Sequence, residues 1–192
     1  MNHRIFALIG PHASGKASIV SKLVSVGINY IPLYTTANYH GRNQKAKFFL
    51  HMEPEEFSAE QFIIKVTYKD ERYGIKRDDL LSALSQHELS VMILPAHGIL
   101  QMKKLIKTNL VTVFLMCDYV TLVDRMLKMR HTNDEIKYHL QYAESNKEFD
   151  GWKQTNFVIK NSGDIDLAMK QLLALMGLVR LVDKDEFIEL TK

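Results

Sequence analysis

A parallel α/β fold is what this chain of 192 residues predicts, on three observations. Short apolar runs alternate with amphipathic stretches of helical period along most of its length, as in strand–helix units. Two runs, 89–94 and 110–116, are apolar but for Ser90 and Thr112, as strands covered on both faces are. A third, 5–9, leads into Gly10-Pro11-His12-Ala13-Ser14-Gly15-Lys16-Ala17-Ser18, a glycine-bearing turn that opens a helix.

The elements follow in order. The first helix runs to about Ser25, where Val26-Gly27 ends it. Residues 30–35 read as one strand, 47–52 as a short strand, and 54–60 as a short helix with Pro54 at its start. Between them, 36–47 is a polar, basic loop. Residues 62–68 alternate as a strand does, 70–74 make a turn, and 76–86 form a helix. In the second half, strand 89–94, helix 97–106, strand 110–116 and helix 120–129 succeed one another. A break at 130–134 precedes a long helix at 134–147, then strand 157–160 and helix 164–176 close the pattern. Such alternation implies right-handed crossovers, with ligands gathered at the carboxyl ends of the strands. The loops after Ile9, Thr35, Leu94, Met116 and Lys160 are therefore expected around one crevice, with the interrupted strands 47–74 as a flap over it.

Composition narrows the classes. Hydrophobic residues make up 46% of the chain, enough for a packed core. A formal charge of +3 suits a small anionic ligand and falls short of the clustered basic face that nucleic acid requires. Cys117 is the only cysteine, which excludes an internal disulfide and a cysteine-rich zinc site and suits a reducing cytoplasm. No signal peptide or bilayer-spanning run is expected. The eight histidines are scattered without metal-ligand spacing, so surface or core placement is expected of them.

The turn from Gly10 to Ser18 carries the chemistry. Glycines let a backbone wrap a phosphate with its N–H groups pointing inward, and the helix N-terminus adds a favourable dipole. Lys16 supplies a mobile cation for the outer phosphates. The last position, where a Ser or Thr hydroxyl ordinarily ligates Mg²⁺, is Ala17, which leaves Ser18 as the neighbouring metal candidate. The competing reading is a glycine turn that only joins a strand to a helix.

Over about residues 4–175 the chain resembles guanylate kinases, P-loop enzymes that move a phosphoryl group from ATP to GMP. The resemblance rests on Gly10-Pro11 through Gly15-Lys16, Thr35-Thr36, Pro54-Glu55-Glu56-Phe57, Arg72-Tyr73-Gly74 and Gly98 to Lys104. Arg130-His131-Thr132 and Phe157-Val158-Ile159-Lys160-Asn161 complete it. It implies a P-loop NTPase three-layer sandwich in one domain, 1–192, with core 1–34 and 77–192, an NMP-binding flap at about 35–76 and a helical lid at about 130–147. By that resemblance Gly10, Pro11, His12, Ala13, Ser14, Gly15, Lys16, Ala17, Ser18, Arg130 and Asn161 bind ATP. Lys16 and Arg130 are the catalytic pair, and Thr35, Thr36, Arg42, Tyr73 and Gly74 meet the acceptor. Asn161 has a second reading as the cap of the final helix. Mg²⁺ accompanies ATP, GMP is the first candidate acceptor, and the protein is expected in the cytoplasm without nucleic-acid or membrane partners. A homodimer stays open.

The acceptor side departs from the family. Ile64 stands where a glutamate reads guanine, Ile75 where Ser or Thr follows Tyr-Gly, and Pro95 where an acid follows the central strand. Ala37 and roughly His40 replace phosphate-gripping arginines, with Arg42 or Lys45 as substitutes; His139 replaces a lid arginine, and Phe49 or Lys47 a tyrosine. If Ile64, Ile75 and Pro95 line the base pocket, guanine meets apolar walls. Two other functions compete: an ATP-dependent kinase of another phosphorylated metabolite, and a catalytically weak nucleotide-binding or protein-interaction module. The tail 177–192 either packs on the core or meets a partner.

Overall fold

The computed structural model describes residues 3–38 and 48–179. Strand β1 (Arg4–Ile9), buried after its first residue, is the centre of a parallel sheet. It pairs with β7 (Leu89–Ile93) on one side and β8 (Leu110–Met116) on the other. Strands β2 (Asn29–Tyr30) and β9 (Phe157–Lys160) complete the order β2-β7-β1-β8-β9.

Because side chains alternate across a strand, β1 serves two cores. Phe6 and Leu8 face α1 (Lys16–Ser25) and α7 (Ile165–Met176), which contribute Ile19, Val20, Leu23, Ala168, Leu172 and Met176. Ile5, Ala7 and Ile9 face α3 (Arg77–Gln86) and α4 (Ile99–Ile106) through Leu80, Ala83, Ile99, Met102 and Ile106. Helix, sheet and helix make the three layers that the resemblance to guanylate kinases implies.

A second sheet sits at one end. Its strands β3 (Leu33–Thr35), β4 (Phe49–His51), β5 (Phe62–Tyr68) and β6 (Glu71–Lys76) lie in the order β4-β3-β6-β5. Pair β3–β4 is parallel, and the other two are antiparallel. Helix α2 (Pro54–Ala59) joins β4 to β5. Ile64, Val66, Tyr73 and Ile75 of this sheet belong to the same apolar cluster as Ile5, Ala7 and Ile9. A third cluster joins Leu122 and Met126 of α5 (Tyr119–Lys128) to Ile136 of α6 (Asn133–Ser145). A reciprocal capping box between Thr132 and Glu135 starts α6.

Four details differ from the sequence expectation. The single strand at 30–35 is two, in different sheets. Ile31 N–H makes the last bond to Val91, and Pro32, which has no N–H, follows it. The turn expected at 70–74 is only Lys69-Asp70, both in the left-handed region at φ 52° and 62°, and the strand resumes at Glu71. Two such residues close a two-residue hairpin whose twist matches its strands. The helix expected from His97 begins at Ile99, after one 3₁₀ turn at Ala96–Gly98. A further 3₁₀ segment, Glu148–Gln154, carries no apolar periodicity to reveal it. Arg42, with His40, Lys45, Lys47 and most of the tail, lies outside the described residues.

Candidate active site

The turn after β1 is built for close backbone approach. Gly10 has φ 152°, and a Cβ there would sit 2.8 Å from Ser14 Oγ and 2.9 Å from the Leu115 carbonyl oxygen. Gly15, with φ 99°, is the N-cap of α1, and a Cβ there would overlap the amide nitrogen of Asn161. Ala13 is left-handed too, at φ 63°. The loop thus stands at the N-terminal end of a ten-residue helix, where backbone N–H groups attract anions.

Two residues from the far half of the chain brace it. Buried Asn161 donates from Nδ2 to the Ser14 carbonyl at 2.8 Å, while its Oδ1 is buried without a partner. Arg125, on α5, donates to the carbonyls of Ala13 at 3.3 Å and Asn161 at 2.7 Å. The final helix is capped by Asp164, whose carboxylate accepts from Asp166 N–H. Asn161 therefore supports the loop and does not cap α7.

Lys16 folds back over the same turn. Its ammonium donates to the carbonyls of Gly10 at 2.6 Å and Pro11 at 2.8 Å. Burial lowers its pKa to about 8, opposed by the charge of Glu148. Pro11 and Ser14 are buried, and His12, Ala17 and Ser18 are half-buried.

The cleft beside Lys16 is lined by Gly10 and His12 on the loop side. Leu33, Phe49, Tyr68 and Tyr73 face them from the second sheet, and Leu94, Pro95 and Ala96 form the floor. Glu148 is the one carboxylate among the lining residues. Tyr68 donates to it at 3.4 Å, and burial together with that carboxylate pushes the phenol pKa upward.

Of the acceptor residues expected from sequence, Tyr73 lines this cleft. Thr35 is fully buried, and its hydroxyl accepts from Ala37 N–H at 3.0 Å. Thr36 donates to Glu71 at 2.5 Å and accepts from Arg72 N–H at 3.0 Å. Gly74 makes room for the Phe62 ring, 2.5 Å from where its Cβ would be. Pro95 borders the cleft, but Ile64 and Ile75 do not. They pair across β5 and β6 and are 1% and 0% exposed, because strand alternation turns both into the core.

Arg130, left-handed at φ 62°, is exposed; its N–H donates to the Leu127 carbonyl at 2.9 Å, and its guanidinium forms no hydrogen bond or ion pair among the described residues. His131 and His139, near it in the chain, approach the Gly10–Lys16 turn at His12. Contrary to the expectation of scattered histidines, one ligand atom each from His12, His131 and His139 lies within 4.8 Å of the others. The rings of His12 and His139 stack with centroids 4.0 Å apart. Burial, then the charges of neighbouring His139, Lys69 and Lys16, lowers the His12 pKa to about 2. Burial and Lys69 lower that of His139 to about 4.

Lys69 was not singled out in the sequence. The left-handed hairpin aims its ammonium at Nδ1 of His139 and at the rings of Tyr68, Tyr138 and Tyr142, 5.2–5.5 Å from their centroids. It connects the second sheet to α6. Burial lowers its pKa to about 8. Asp118, two residues beyond β8, accepts from Thr121 N–H at 2.8 Å as the cap of α5.

No protein-family model matches the chain. It is 23% identical over 185 residues to the guanylate kinase of Koribacter versatilis (strain Ellin345), covering 92% of this chain and 78% of that one. It is 25% identical over 183 residues to the guanylate kinase of Wolbachia pipientis wMel, covering 92% and 90%. The crystal structure of guanylate kinase from Anaplasma phagocytophilum superposes with a TM-score of 0.69 at 16% identity, over 91% of this chain and 84% of that one. In sequence and in fold, the chain is guanylate kinase-like.

Proposed function

We propose that the protein transfers the γ-phosphoryl group of ATP to a nucleoside monophosphate, with GMP the first acceptor by its likeness to guanylate kinases. The observation that carries this reading is one cleft bounded by the Gly10–Lys16 turn on one side and Tyr68 and Tyr73 of the second sheet on the other. The turn would hold the ATP phosphates on its N–H groups. Lys16 would exchange its two backbone carbonyls for phosphate oxygens, which offer a full opposite charge.

An oxygen of the acceptor monophosphate attacks the γ-phosphorus, and the bond from that phosphorus to the β-bridging oxygen breaks. The products are ADP and a nucleoside diphosphate. The attacking oxygen is already anionic, so the protein's part is positioning and charge neutralisation. Arg130, whose guanidinium has no partner among the described residues, would neutralise the transferring group if α6 closes over it. Lys69 would add a second cation from the flap side. Residues at about 35–76 would act as the flap and about 130–147 as the lid, shutting water out.

Mg²⁺ accompanies ATP in this reading and would neutralise the outer phosphates. Ala17 offers no oxygen to it. Half-buried Ser18 and the cleft carboxylate Glu148 are the residues that fit a hard cation.

The test is a transfer assay with ATP, Mg²⁺ and each nucleoside monophosphate, measuring both ADP and the new diphosphate. The reading expects a diphosphate product from GMP that is lost in Lys16→Ala. ADP without any diphosphate, or a product that survives Lys16→Ala in folded protein, would overturn it.

A further inference from the structure

We propose that His12, His131 and His139 form a binding site for one divalent transition metal of the zinc class, joining the lid to the phosphate loop. The three residues come from three places: the Gly10–Lys16 turn, the bend before α6, and α6 itself. One ligating atom from each lies within 4.8 Å of the others. Nε2 of His12 and Nε2 of His131 are 3.4 Å apart. Two nitrogens at the usual Zn–N length of about 2.0–2.1 Å, on a tetrahedron, are separated by about 3.3–3.4 Å. That pair already has the spacing of one edge of the coordination shell.

The surroundings fit the same use. Nδ1 of His131 lies 3.6 Å from the carboxylate of Glu135, which leaves Nε2 directed at the cluster. A carboxylate behind a histidine ligand orients the ring and raises its basicity. Three imidazoles without a hard oxygen select zinc-class ions over Mg²⁺. The fourth position of such a site would open onto the cleft that His12 lines.

Two cations oppose it. Lys69 donates to Nδ1 of His139, and both Lys69 and Lys16 act electrostatically on His12. The stacked His12 and His139 rings hold their lone pairs in parallel, so His139 has to turn on its side chain to join the shell. Metal and Lys69 therefore compete for His139, which makes the site one that senses how far the flap hairpin has moved. The inference needs no nucleotide and stands apart from the phosphotransfer reading.

The experiment titrates the untagged full chain with Co²⁺ and follows its visible absorption. Zn²⁺ is then used to displace it, and Mg²⁺ serves as the comparison ion. The expected result is one ion per chain with the strong absorption of a four-coordinate site, displaced by Zn²⁺ and not by Mg²⁺. His131→Ala and His139→Ala, on separate elements, should each weaken binding at least about tenfold, the scale on which even an outer partner of a ligand matters. Lys69→Met should tighten it, and His97→Ala, an exposed histidine elsewhere, should leave it unchanged. Zinc should also slow amide exchange across residues 130–139. Absence of stoichiometric Co²⁺ binding by the unmodified chain would overturn the proposal. So would equal binding by folded His131→Ala and His139→Ala, or loss in His97→Ala.

Discussion

Gly15 and Asn161 should behave as one unit although 146 positions separate them. In Gly15→Ala, the new methyl meets two obstacles. Its backbone has φ 99°, where a Cβ costs about 1–2 kcal/mol. It also overlaps Asn161 Nδ2, which must leave the Ser14 carbonyl, and a buried polar group without its partner costs about 1–3 kcal/mol. Together these destabilise the fold by about 2–5 kcal/mol. Asn161→Ala alone loses the same hydrogen bond, at about 1–3 kcal/mol, eased by removal of the buried, partnerless Oδ1. In the double variant there is no amide left to displace, so Gly15→Ala should add only its backbone strain of about 1–2 kcal/mol. The coupling is then about 1–3 kcal/mol in favour of the double variant. Urea unfolding of all four proteins, followed by circular dichroism, measures it. Additivity to within about 0.5 kcal/mol would refute the claim that Asn161 supports the loop by packing against Gly15.

Three further outcomes are expected. ATP affinity should fall as pH rises above about 8, because bound phosphates raise the Lys16 pKa from that value and binding takes up a proton. Calorimetry at pH 7.5 and 9.5 in buffers of different ionisation heat would detect it, and an unchanged affinity with no proton uptake would refute it. Ile64→Glu should not restore a guanine contact but destabilise the protein by about 3–5 kcal/mol, since it buries an unpaired charge in the core; a stable variant with tighter GMP binding would show that Ile64 borders the base pocket. Asp70→Gly should raise stability by about 0.5–1 kcal/mol by relieving a left-handed turn position, and a lower urea midpoint would count against the hairpin strain.

The layers and the glycine turn between β1 and α1 were legible in the sequence because their signals are local. The run 5–9 and the turn from Gly10 to Lys16 are adjacent in the chain, and strand and helix periods need only a short window. The cleft's other residues are not local. Arg125 and Asn161 reach the loop from more than a hundred positions away. Lys69 comes into position only through two left-handed residues that no Asn-Gly pair announced. Glu148 lies on a 3₁₀ segment without hydrophobic period. For Ile64 and Ile75 the family resemblance gives the position in the strands and not the direction of the side chains, because which face of β5 and β6 meets the core is decided by packing. His12, His131 and His139 have no spacing that a motif could hold, and the meeting of turn and α6 alone unites them.

The apolar cluster that β5 and β6 share with β1 sets the amplitude of any movement at the cleft. Ile64, Val66, Tyr73 and Ile75 form a seam with the central sheet. Exposing four such side chains would cost roughly 6–12 kcal/mol at about 1.5–3 each. That is as much as a whole domain's net stability, about 5–15 kcal/mol. The smaller sheet therefore stays fastened along its base and can only tilt. Its rim, the Lys69-Asp70 hairpin, travels farthest for a given tilt, while the wall beside Tyr73 scarcely shifts. Under the proposed phosphotransfer, substrates would enter past that rim, and a small rotation at the seam would carry the Lys69 ammonium toward or away from the Gly10–Lys16 turn.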